Sequence, residues 1–89
     1  MPTTKRWNIE IHIGEEGSHT YAEARLHARD AAEVRGEGTA RCNPSDENVP
    51  RIGDEIAVAR ALSDLAHKLL HEAAEELESV VRQPVHLRG

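Results

Sequence analysis

The sequence predicts an α+β fold in which a three-stranded antiparallel β-meander packs on one long C-terminal α-helix. Trp7 to Ile13 alternates strictly between apolar and polar residues, which is typical of a half-buried strand. Asp54 to Arg82 runs for 29 residues without proline or glycine, and its leucines recur at helical spacing. A chain of 89 residues predicts a single domain, 1–89, with flexible tails at 1–4 and 84–89.

The first two strands are predicted to form a hairpin over Arg6 to Ile13 and Ser18 to His27, joined by a four-residue loop, Gly14 to Gly17. This loop length pairs Ile13 with Ser18 and keeps the two apolar faces on the same side of the sheet. The core-facing residues of the two strands are Trp7, Ile9, Ile11, Ile13, Thr20, Ala22, Ala24 and Leu26. The outer face of the sheet is predicted to carry mixed charge and one aromatic ring, from Glu10, His12, His19, Tyr21, Glu23, Arg25 and Glu37.

The third strand is predicted from Glu33 to Arg41, with two glycines on its inner face, Gly36 and Gly38. Glycine inside a strand often marks a close approach of another backbone. The approaching group is either the helix or a ligand that lies against bare backbone, and we expect the helix. A loop from Cys42 to Gly53, with two prolines, then leads to the helix.

The helix is predicted to begin at an N-cap, Asp54, and to end by Gln83 because Pro84 follows. One apolar stripe runs along it and comprises Val58, Ala59, Leu62, Leu65, Ala66, Leu69, Leu70, Ala73, Leu77, Val80 and Val81. We expect Leu62, Leu65 and Leu69 to share a dry seam with the apolar residues of the first strand.

Two lengths in this arrangement do not match. A helix of this length spans roughly 43 Å, whereas a nine-residue strand spans roughly 30 Å. The helix should therefore extend beyond the sheet by about three turns. Either it breaks near Glu72 to Glu75, or a second copy of the chain covers the apolar stripe, and we favour the second copy. The predicted interface comprises Leu69, Leu70, Ala73, Leu77, Val80 and Val81.

Composition argues against several classes of function. The net charge of −5 gives no general affinity for nucleic acid or for anionic membranes. No run of 18 apolar residues and no apolar leader are present, so we expect a cytoplasmic protein without a membrane segment. The single cysteine, Cys42, excludes an internal disulfide and is expected to act as a small buried apolar residue.

Ile52 to Ala66 begins with Ile-Gly-Asp-Glu, and Ala40 to Pro44 reads Ala-Arg-Cys-Asn-Pro. In these two segments the chain resembles a family of small actinobacterial proteins of unknown function. The resemblance covers most of the chain and implies a fold like the double-stranded RNA-binding domain, without any activity or catalytic residue. RNA-binding members of that fold use a lysine cluster at the start of the last helix. This chain has Gly53, Asp54 and Glu55 there, so we expect no binding to duplex RNA.

Histidines provide the main candidates for metal sites. His67 and His71 are four residues apart on the predicted helix and could chelate a divalent metal. Asp64 and Glu75 lie one turn before and one turn after them, but the motif is not His-Glu-x-x-His and has no general base between the ligands, so a hydrated charged face is the simpler interpretation. His12 and His19 should lie opposite each other in the hairpin and could sense pH or bind metal, although two exposed imidazoles are the simpler interpretation.

The sequence thus predicts a small non-enzymatic protein without a cofactor that acts through self-association, as a dimer or larger homo-oligomer, or by docking an unknown protein partner. One alternative is a nucleic-acid-associated regulator. Another is a metal-binding protein that uses its surface histidines.

Overall fold

A computed structural model of the chain describes residues 3–28, 33–41 and 50–81 and confirms the predicted fold class. Its elements are β1 (Asn8–Glu16), β2 (His19–His27), β3 (Val34–Arg41) and α1 (Pro50–Val81). The strands form one antiparallel sheet in the order β1-β2-β3, and α1 packs on one face of it. The other ranges, including Cys42 and both chain ends, lie outside the described residues.

The hairpin between β1 and β2 is tighter than the predicted four-residue loop. Its turn is only Gly17 and Ser18, with Gly17 at φ +60°, a conformation that glycine adopts without steric cost. Ile13 therefore pairs with Ala22, so the predicted pairing with Ser18 is wrong. Because the shift involves an even number of residues, each side chain keeps its predicted face of the sheet.

Two glycines of β3 bring α1 against the sheet. A Cβ added at Gly36 would lie 2.3 Å from the carbonyl oxygen of Ala61, and one at Gly38 would lie 2.4 Å from that of Ala57. No side chain fits at these separations, so the helix backbone lies directly on the strand backbone. The packing interpretation of the two strand glycines is confirmed.

This close approach gives a core of small side chains. The buried apolar residues of the described chain are Ala22, Ala24, Leu26, Ala40, Ala57, Ala61 and Leu65. Val34, Val58 and Leu69 pack against them while remaining partly exposed. Five alanines and two leucines bury little apolar area, so this core stabilises one chain only weakly.

The helix begins earlier than predicted. It starts at Pro50, whose fixed φ suits the first turn of a helix. Asp54 consequently lies in the second turn and cannot serve as the N-cap, which corrects the prediction. Its Oδ1 atom is buried without a hydrogen-bond partner among the described residues.

The helix continues without a break to Val81. Leu69 is the last of its residues to pack against the core, so residues 70–81 extend past the sheet by about 18 Å. The described chain is correspondingly elongated, with principal extents of 54 × 32 × 20 Å. The predicted overhang of about three turns is therefore present, and the alternative of a broken helix is wrong.

The predicted seam between β1 and the helix is wrong. Helix α1 lies over β2 and β3, and every residue of β1 is exposed. Leu62 is exposed as well, while Leu65 is buried against β2 and β3 rather than against the isoleucines. The physical reason is that the glycines and alanines of β2 and β3 let the helix sit closer there than over the bulky isoleucines of β1.

Candidate functional site

A row of large apolar side chains lies uncovered along β1 and at the residue that precedes it. We call it the β1 row, and it comprises Trp7, Ile9, Ile11 and Ile13. The sheet register pairs Ile9 with Leu26 and Ile11 with Ala24, so the isoleucines share the face on which α1 packs. Trp7 is nevertheless 55% exposed and Ile11 38% exposed. The helix covers two strands of a three-stranded sheet and leaves the third bare.

A second apolar surface lies on the helix itself. We call it the outer stripe, and it comprises Ala59, Leu62, Ala66, Leu70, Ala73, Leu77 and Val80, all exposed. At 100° per residue, its centre lies about 130° around the helix axis from the line of Ala57, Ala61 and Leu65 that faces the sheet. The stripe predicted from the sequence is thus mostly an outward-facing stripe and not the core face.

The two surfaces lie on the same side of the molecule. Arg60 and Asp64 reach over the free edge of β3, where they bond to Thr39 and Glu37. Leu62 projects from the opposite flank of the helix, which therefore faces β1. The first half of the outer stripe and the β1 row together border one apolar groove, with the helix as its wall and β1 as its floor, and the second half of the stripe continues this apolar surface beyond the sheet.

All six predicted interface residues lie within the described helix. Five of them, Leu70, Ala73, Leu77, Val80 and Val81, are exposed. Leu69 is partly buried because it packs against the core. Their role as an interface stays a prediction. The β1 row and the first half of the outer stripe are additions that sequence reasoning missed, since it assigned Trp7, Ile11 and Leu62 to the core.

The free edge of β3 is closed by side chains from the helix. Asp64 Oδ2 accepts a 2.9 Å hydrogen bond from the backbone N–H of Glu37 and lies 3.0 Å from Lys68 Nζ. Arg60 Nη1 donates a 2.7 Å hydrogen bond to the carbonyl oxygen of Thr39. The bond from Glu37, with help from Lys68, holds the pKa of the Asp64 carboxyl below its ordinary value. These contacts position α1 over β3 and away from β1.

The helix histidines lie on the polar side, away from the apolar groove. His67 Nδ1 is 2.8 Å from the carbonyl oxygen of Ser63, and His71 Nε2 is 3.0 Å from Glu75 Oε1. Among the described residues, no three His, Cys, Asp or Glu side chains converge on a point where a metal could bind. Among these residues His67 and His71 have no third ligand beside them, and their role as a metal site stays a prediction.

The outer sheet face has a shallow depression of ≈ 500 Å³ bordered by residues from all three strands. His12 contacts Glu10 and is paired in register with Glu23. The predicted pair of His12 and His19 across the hairpin is therefore wrong, because the two-residue turn moves His19 to a position opposite Glu16. The depression carries mixed charge and no convergent ligand set.

Comparisons with known proteins agree with this architecture. A family model described as Rv2632c-like matches residues 5–86. The chain is 47% identical over 83 residues to the uncharacterized protein Mb1767 of Mycobacterium bovis, covering 93% of this chain and 87% of that protein. It is 43% identical over 81 residues to the uncharacterized protein Rv2632c of Mycobacterium tuberculosis, covering 91% and 86% respectively.

A crystal structure of Rv2632c has the same fold. The TM-score is 0.82 at 41% sequence identity, and the match covers 93% of this chain and 98% of that one. The names of these relatives state no activity, ligand or partner. Within the described ranges, no helix has the length and apolar content that crossing a membrane requires.

Proposed function

The chain belongs to the Rv2632c-like family, and we propose that it acts without catalysis, as a small protein that self-associates through the groove bordered by the outer stripe and the β1 row. The observation that carries this proposal is the position of the large apolar residues. The core holds mainly alanine, while the tryptophan, the isoleucines of β1 and most helix leucines are exposed.

The size of the exposed surface supports association. The β1 row and the large residues of the outer stripe are each between 36% and 80% exposed. Together they present apolar area on the order of 800 Å², which is about what one partner buries in a standard interface. Single-chain proteins rarely leave so large an apolar surface in water, where the largest patch is about 300–600 Å².

A second copy is the occupant that the groove fits best. The chain carries both an apolar ridge, the helix stripe, and an apolar floor, the β1 row, side by side. A two-fold axis brings the same patch of both copies into contact, so the ridge of each copy can pack against the floor of the other copy. Covering them would also supply the large buried side chains that the single-chain core lacks.

Light scattering coupled to size-exclusion chromatography tests this proposal. At micromolar concentration we expect a measured molar mass twice that of the 9.9 kDa single chain. Ala66→Glu places a carboxylate in the middle of the outer stripe and should weaken association by about 100-fold, because a buried unpaired charge costs about 3 kcal/mol or more.

His67→Glu is the matched control for this experiment. It makes the same change on the polar side of the same helical turn, so the dimeric mass should persist. A monomeric native chain would refute self-association and leave a different protein as the occupant of the groove. A dimer that Ala66→Glu leaves intact would move the interface away from the outer stripe.

A further inference from the structure

The spacing of small residues along α1 suggests how the two copies meet. Ala59, Ala66 and Ala73 recur at intervals of seven residues in the outer stripe, and all three are exposed. Alanine at every seventh position places a line of small side chains along the helix surface, and Leu62, Leu70 and Leu77 flank this line. Such a line lets a second helix approach to about 8 Å, the close end of the usual range.

We propose that two copies pair through their helices in antiparallel orientation, with the two-fold axis at Ala66, a geometry that rests on the proposed self-association. This register sets Ala59 against the partner's Ala73 and Leu62 against the partner's Leu70. Ala66 meets the partner's Ala66 on the axis, while Leu77 lies against the partner's Glu55 near the end of the pair. The central part of the seam, from residue 59 to residue 73, is therefore evenly spaced, as close helix packing requires.

The length of the helix supports the same centre. Helix Pro50–Val81 has its midpoint between residues 65 and 66, so an antiparallel pair about Ala66 overlaps along the whole helix. Residues 70–81, which extend beyond their own sheet, lie along the first half of the partner's helix, which is held on the partner's sheet. The overhang, which lies past Leu69, thereby gains packing contacts from the partner.

Charge also favours the antiparallel orientation over a parallel one. Glu72, Glu75, Glu76 and Glu78 crowd the last third of the helix. A parallel pair would bring the glutamates of both copies to one end, and like charges at short distance are repulsive. An antiparallel pair separates the two glutamate clusters to opposite ends, where each lies near only two acidic residues of the other copy, the partner's Asp54 and the partner's Glu55, and it also opposes the two helix dipoles.

The antiparallel pair accounts for the β1 row as well. Seating a helix on the outer stripe brings it over the β1 side of the first chain, because Leu62 projects on that flank. The partner's helix then forms a second wall of the groove, and Trp7 with the isoleucines closes it from below. One arrangement thus covers both apolar surfaces that a single chain leaves in water.

Disulfide trapping between single-cysteine variants tests the orientation. Cys42→Ser serves as the background, and Ala59→Cys and Ala73→Cys are introduced separately into the full-length chain. Equal amounts of the two variants are mixed, oxidised and resolved on a non-reducing gel with mass spectrometry. A disulfide requires Cα atoms within about 4.4–6.8 Å, so only directly facing positions react efficiently.

The antiparallel pair predicts that the disulfide-linked dimer joining residue 59 to residue 73 exceeds the 59–59 and 73–73 dimers at least tenfold. It also predicts that Ala66→Cys alone forms a disulfide-linked dimer. His67→Cys, on the polar side, should form none. Symmetric 59–59 and 73–73 products would overturn the proposal in favour of a parallel pair. A dimeric mass by light scattering without any cross-link would overturn this geometry alone, whereas a monomeric mass would also refute the self-association on which it rests.

Discussion

At the scale of single residues, Gly36 and Gly38 determine how close α1 lies to the sheet. Their missing side chains let the carbonyl oxygens of Ala57 and Ala61 occupy the space that a Cβ would fill. The short distance makes α1 favour β2 and β3 over β1. The absence of a Cβ atom at Gly36 and Gly38 therefore explains why α1 does not cover the β1 row.

Replacing Gly36 with alanine tests this role. The added methyl would meet backbone atoms of Ala61 and Leu65 at 2.3 and 2.4 Å, so the helix must move away from the strand. We expect the free energy of unfolding to fall by about 1–3 kcal/mol, the usual cost of overpacking. Urea denaturation followed by circular dichroism measures the change.

Gly14→Ala is the control for this substitution, because no atom lies within 4 Å of its Cβ and its φ is not positive. It should be neutral or stabilise the chain by up to about 1 kcal/mol. Equal effects of the two substitutions would contradict the close contact between α1 and β3.

At the scale of elements, Asp64 and Arg60 hold the helix to one edge of the sheet. β1 and β3 are both edge strands, and an exposed edge invites pairing with other chains. The two side chains occupy the free backbone groups of Glu37 and Thr39 and so block the β3 edge. The remaining edge, β1, borders the apolar groove.

The pKa of Asp64 gives this contact a dependence on pH. Because the pKa is lowered in the folded chain, the ionised carboxylate stabilises the fold above its unfolded value of about 3.9. This contribution is lost as the pH falls through the lower folded value. We therefore expect Asp64→Asn to have a lower urea midpoint than the native chain at pH 7, and we expect this difference to shrink as the pH falls below about 3.9.

Urea midpoints of both chains across this pH range provide the measurement. Lys68→Gln keeps the bond from the backbone of Glu37 and should reproduce only a minor part of the effect. If the difference in urea midpoint between the native chain and Asp64→Asn stayed constant down to the lowest pH, this result would contradict the assigned role of the ionised carboxylate.

Sequence patterns predicted the elements well and their mutual placement less well. The alternation in β1 and the leucine spacing in α1 correctly identified a strand and a helix, and the glycines of β3 correctly indicated close approach. The error was to assume that the bulkiest apolar residues face one another. The pairing of Gly36 and Gly38 with Ala57 and Ala61 is a signal that could have located the true contact, since small residues recur on both elements.

The hairpin register was missed for a local reason. Gly14 and Gly17 both suggest a turn, and the sequence alone does not distinguish a four-residue loop from a two-residue turn at Gly17. The positive φ of Gly17 and the continuation of β1 to Glu16 determine the answer. The side of the sheet on which each side chain lies was still predicted correctly, because a register shift by an even number of residues does not exchange the two faces of a strand.

At the scale of the whole molecule, the chain is a fold with two apolar surfaces and a small core. The described core contains no large side chain that is fully buried, and the elongated helix extends well past the sheet. A chain of this size gains marginal stability from such a core alone. The central claim is that the outer stripe and the β1 row become buried when two copies associate.

Fluorescence of Trp7, the single tryptophan of the chain, tests this claim most directly. Acrylamide quenching is measured across a dilution series that light scattering shows to span monomer and dimer, with Ala66→Glu as the monomeric reference. We predict that quenching decreases and emission shifts to shorter wavelength as the dimer forms, while Ala66→Glu remains quenchable throughout. A native chain whose Trp7 is as accessible in the dimer as in the monomer would contradict the claim.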